Sequence, residues 1–189
     1  MTRQNGPRFD ENYLRQGSPT NSTFGETIPR VNAVSDLAIA ATGVVLSTAI
    51  PLQAGDVVTN ITFVTGATAA VTPTAGFAAL YSNAATPALL AQSADFATTA
   101  RAANTAYTVA LATAQLITAP GIYYVAVSFT ATTLPTLRGI SLGNAVVAGA
   151  IGLSAKVLAQ SHGSAVGGVA PATIATPTTN ASVPYLAVT

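Results

Sequence analysis

The residues able to do acid–base, nucleophilic or metal chemistry are few and far apart. The chain has one histidine, His162, in the run Gln160-Ser-His-Gly-Ser164, and no cysteine. A serine nucleophile needs a base within hydrogen-bond reach and an acid that orients the base. No Gly-x-Ser-x-Gly turn accompanies His162, so it reads as a polar residue in a glycine-rich loop. A glycosidase needs two carboxylates flanking one bond. Beyond residue 36 there are Asp56, after Ala54-Gly55, and Asp95, after an apolar run; they read as a turn residue and a strand-end cap. A zinc centre needs three or four His, Cys or carboxylate ligands, a calcium loop needs clustered Asp, and a phosphate loop needs a glycine-rich turn into a helix. Gly163 to Gly168 runs instead into Val169-Ala-Pro171. The expectation is a protein that is not an enzyme and has no cofactor and no metal.

Recognition by aromatic stacking is the remaining chemistry. A sugar can lie on an exposed ring while polar groups fix its orientation. The candidates are Tyr81, Tyr107 and Tyr124; Tyr123 and Tyr124 are neighbours, so one strand points them to opposite faces. The chain has no Trp. A carbohydrate-binding module for host recognition is therefore the alternative function.

Charge says more about the class of protein. Charged residues are 7% of the chain, against about 25% on average, and such a surface is poorly protected against association. The net charge of +1 offers no field for nucleic acid or anionic lipid. The stretch from Asp56 to Asp95 is uncharged between its ends but broken by Gly, Pro and Asn, so no transmembrane helix is expected. The N-terminal residues lack an apolar core, so no signal peptide is expected either.

The charges divide the chain. Arg3, Arg8, Asp10, Glu11, Arg15, Glu26, Arg30 and Asp36 fall in residues 1–36, leaving Asp56, Asp95, Arg101, Arg138 and Lys156 for residues 37–189. Gly6-Pro7, Gly17-Ser-Pro19 and Ile28-Pro29 forbid a long helix in the first part. It reads as an extended N-terminal arm, reaching roughly 120 Å at about 3.3 Å per residue. Phe9, Tyr13, Leu14, Phe24 and Ile28 are its candidate docking anchors.

Residues 37–189 read as strands. Val57 to Val64 alternates, with Thr59, Ile61 and Phe63 on one face and Val58, Asn60, Thr62 and Val64 on the other. Gly76 to Tyr81, Ala88 to Ala94 and the stretch carrying Tyr107, Val109 and Leu111 follow. Gly121 to Thr130 is the clearest, with Tyr123, Val125, Val127 and Phe129 against Ile122, Tyr124, Ala126 and Ser128. Ser182 to Val188 closes the series. Residues 142–170, rich in Gly and Ala, read as a loop or weak strands. Short strands with turn signals between them predict an all-β fold, an antiparallel β-sandwich of jelly-roll type.

The segment from Ala41 to Gly139, about half the chain, resembles small β-sandwich virion proteins of tailed phages infecting actinobacteria. The resemblance is carried by Pro51-Leu-Gln-Ala-Gly55 leading to Ile61-Thr-Phe63, then Phe77-Ala-Ala-Leu-Tyr81, Leu89-Leu-Ala-Gln-Ser-Ala-Asp95, Pro120-Gly-Ile-Tyr-Tyr-Val-Ala-Val127 and Pro135-Thr-Leu-Arg-Gly139. It implies a structural component of the virion surface, a capsid decoration or minor tail protein. The expected partners are copies of itself, with a trimer favoured, and other virion proteins such as major capsid or tail subunits; neither nucleic acid nor membrane is among them.

Overall fold

A computed structural model describes residues 24–96, 99–149, 156–164 and 166–189. The strands are β1 (Gly25–Glu26), β2 (Ser35–Leu37), β3 (Val45–Leu52), β4 (Val57–Val64), β5 (Val71–Tyr81), β6 (Leu89–Gln92), β7 (Ala106–Leu116), β8 (Gly121–Thr133), β9 (Leu137–Ser141), β10 (Ala159–His162), β11 (Thr178–Thr179), β12 (Ser182–Pro184) and β13 (Leu186–Val188). One turn of helix, α1 (Ala145–Ala148), is capped by Asn144, whose side chain accepts from the Val146 amide.

The strands pair antiparallel in a four-stranded sheet, β1-β13-β4-β7, and a six-stranded sheet, β11-β10-β3-β8-β5-β6, with a smaller sheet β12-β9-β2 beside them. The chain changes sheet between β3 and β4, again to β5, and again on either side of β7. The result is an antiparallel sandwich with jelly-roll-like crossovers. The main core lies between the two larger sheets: Ile50, Val58, Ile61, Phe63, Leu80, Val125, Val127, Phe129 and Leu186 meet there. Phe63 and Phe129 pack edge to face at 5.3 Å between ring centres.

The six-stranded sheet is buried on both faces. Its outer face carries Val45, Phe77, Tyr81, Tyr124 and Ala126, which pack under Leu158, Val166, Ala170 and Ile174. Leu158 and described residues from Val166 to Ile174, part of the stretch that read as an uncertain loop, thus cover the sheet. Gln92 anchors this cover, its Oε1 accepting from Ala170 N and its amide donating to Gly168 O, while Asp95, which accepts from Gly76 N of β5, lies close against Gly168.

Three expected details differ. Val58 faces the core together with Ile61 and Phe63, because the β4–β7 register shifts between Val58 and Asn60 and a bulge reverses the alternation there. Ser182 to Val188 is two strands in two sheets: Pro184 is the last residue of β12, Tyr185 turns the chain, and β13 pairs with β4. His162 lies on β10, opposite Val45 of β3, rather than in a loop; backbone pairing with a central strand outweighs the local glycines.

Candidate functional site

The sites anticipated from residue type resolve into buried structure. The Tyr81 and Tyr124 rings are buried, and their hydroxyls donate to Pro171 O and Val157 O. Burial pushes both phenols above their ordinary value. Neither ring offers an open face for a sugar. Tyr107 is half-buried, stacks on Phe63, and accepts the Ala102 amide on its hydroxyl at 2.6 Å.

His162 is 5% exposed, and its Nε2 lies 2.7 Å from Ser47 Oγ. Its ring meets Tyr81 edge-on at 5.7 Å. Burial lowers its pKa to about 4, so the ring is neutral at pH 7. The pair has the contact of a nucleophile and its base, but both members are sealed under the covering segment and no group of three or more metal-ligating or acidic side chains exists among the described residues. Asp56 closes its own turn, its Oδ2 accepting from Gln53 N.

Arg101 is a buried cation with an aromatic setting. Its guanidinium lies 4.6 Å from the Phe96 ring centre, 4.7 Å from Tyr107 and 5.9 Å from Phe63. Burial lowers its pKa, against a smaller raising effect of Tyr107. Ring faces compensate part of the lost hydration, while Nε has no hydrogen-bond partner. Nothing in the sequence pattern announced this box, since its members come from β4, β7 and the connection between β6 and β7.

Of the arm anchors, Phe9, Tyr13 and Leu14 lie outside the described residues. Phe24 and Ile28 pack on this chain's own sandwich, in a cluster with Tyr185, Ala187 and Val64. The segment is tied further by Thr27 N donating to Leu186 O, and by Tyr185 Oη donating to Glu26 Oε1 at 2.7 Å. Arg30 pairs with Glu26 and stacks on Phe24. Asp36 pairs with Arg138 at 3.3 Å. Glu26 and Asp36 therefore lie on paired strands, β1 and β2, while Arg30 opens a single 3-10 turn between them.

The outer face of β4 and β7 is the surface with a distinct character. Asn60 opposes Ala110, Thr62 opposes Thr108, and Val57 opposes Leu116. The Thr62 and Thr108 hydroxyls hydrogen-bond each other at 2.7 Å. Neither strand contains a charged residue, and Leu116 is 54% exposed at its end. A face of Ala, Thr, Val and Asn60 has no charge to repel a like face. No protein-family model and no curated protein matches this chain.

Proposed function

We propose that the chain is a structural virion protein, a capsid decoration or minor tail component, that self-associates through the β4–β7 face and attaches to its particle through the residues before Phe24. The observation that carries this reading is the uncharged outer surface of β4 and β7. Symmetry would place that face against copies of itself and multiply weak contacts. A trimer is the favoured assembly. The segment before Phe24 carries three arginines and two acids with the anchors Phe9, Tyr13 and Leu14, a composition suited to lying along a neighbouring protein rather than to self-packing.

The test is the solution mass by light scattering of the full chain, of a chain starting at Phe24, and of Thr108→Glu. The cut at Phe24 spares β1. An oligomer in the first two that dissociates in Thr108→Glu supports the proposal. A monomer throughout overturns the assembly part, and absence of the chain from purified particles overturns the virion role.

A further inference from the structure

A cleft of about 460 Å³ opens on the outer side of the six-stranded sheet, where the 85–87 turn, the approach to β10 and the 174–177 loop meet. Its volume lies in the range of small-ligand sites, roughly 300–1,000 Å³. One wall is held by pairing across the turn: Leu89 N donates to Ala172 O, Ile174 N donates to Pro87 O, and Ala88 bridges Thr173. Pro87, Ile174 and Pro177 make this wall apolar, and Tyr124 and Gln160 line the cleft beside it.

Two polar groups line the cleft. Lys156 Nζ donates to Asn83 O at 3.0 Å and to Ala84 O at 2.8 Å. Both acceptors are neutral carbonyls, and among the described residues no carboxylate pairs with this cation. An ammonium has three donors, so one remains for a ligand. Gln160 is 4% exposed, stands two residues from His162 on the same face of β10 and lines the cleft, and its amide atoms are not among the buried polar atoms that lack a partner. An amide on the cleft wall offers both a donor and an acceptor, which a ligand able both to accept and to donate would match. Thr176, on the rim, has φ 44. That left-handed conformation is strained for a β-branched residue, and it falls within the 174–177 stretch that lines the cleft.

We propose that this cleft binds a small hydroxylated carboxylate of the sugar-acid class. The carboxylate pairs with Lys156, a ring hydroxyl both accepts from and donates to the Gln160 amide, and the C–H face of the ring lies on Pro87, Ile174 and Pro177. The proposal is independent of the assembly role, because the cleft and the β4–β7 face belong to different sheets.

The test is a titration of the isotope-labelled full chain, followed through its backbone amide resonances, with glucuronate, glucose and lactate. Saturable shifts at Lys156, Val157 and Thr176 with glucuronate, none with glucose, and binding of lactate weaker by about tenfold or more are expected. Lys156→Met and Gln160→Leu should each weaken glucuronate by about tenfold. Gln160→Leu leaves the Lys156 contacts to Asn83 and Ala84 in place, so it keeps the test valid if Lys156→Met loosens the 83–84 turn. Absence of saturable glucuronate shifts, or unchanged binding in both variants, overturns the site. Lactate binding as tightly as glucuronate overturns the sugar-acid class.

Discussion

Nε2 of His162 lies 2.7 Å from Oγ of Ser47, joining β10 to β3 beneath the segment that covers the outer face of the six-stranded sheet. The bond works in either sense, the ring N–H donating to the hydroxyl or the hydroxyl donating to the ring nitrogen, provided that the ring is neutral. Burial keeps it so, with the pKa lowered to about 4. Stability should follow. Between about pH 6.5 and the folded value, the unfolded chain takes up a proton that the folded chain refuses. Stability is therefore complete above about pH 6.5 and falls as pH drops towards 4, by at most about 3 kcal/mol. Urea unfolding at about pH 7 and about pH 4.5 measures the slope, and His162→Gln should flatten it. An unchanged slope in that variant would assign the acid sensitivity to other groups.

Thr48 points into the main core from β3, is 0% exposed, and its hydroxyl has no hydrogen-bond partner. Valine has the same branching and nearly the same shape without the buried oxygen. Thr48→Val should stabilise the fold by about 1 kcal/mol, seen as a higher thermal midpoint. A lower midpoint would mean that the hydroxyl is satisfied in solution.

Gly168 and Gly167 are neighbours with opposite tolerance. A methyl group on Gly168 would collide with the Asp95 carboxylate and its Cβ, while one on Gly167 meets nothing within 4 Å. Asp95 is itself held by Gly76 N at 2.9 Å, so it cannot swing away without loosening β5. Gly168→Ala should cost about 1–3 kcal/mol and Gly167→Ala well under 1 kcal/mol. Equal midpoints for the two variants would contradict the close packing of the covering segment on Asp95.

The strand carrying Gly121 to Thr130 was legible because its two faces are chemically distinct along the chain. Tyr123, Val125, Val127 and Phe129 do share the main core, and Tyr124 and Ala126 do share the outer one. β3 went unread for the opposite reason. Val45 to Leu52 is almost wholly buried, with both faces covered, and a strand covered on both sides loses the alternation that marks one. The fate of the tyrosines was also hidden. Whether an aromatic ring is exposed depends on what lies over it, and for Tyr81 and Tyr124 that is a segment from residue 157 onward.

Composition and periodicity by themselves determined the all-β class, the places of most strands and the uncharged character of the surface, because these follow from local backbone preference and from residues a few places apart. The tertiary structure alone decided the bulge that turns Val58 inward, the pairing of His162 with Ser47, the aromatic box around Arg101, and the cleft that brings Lys156 and Gln160 to the turn at Pro87. Each of these depends on which strands become neighbours. That choice is made by burial of apolar surface summed over the whole chain, which no short window of residues contains.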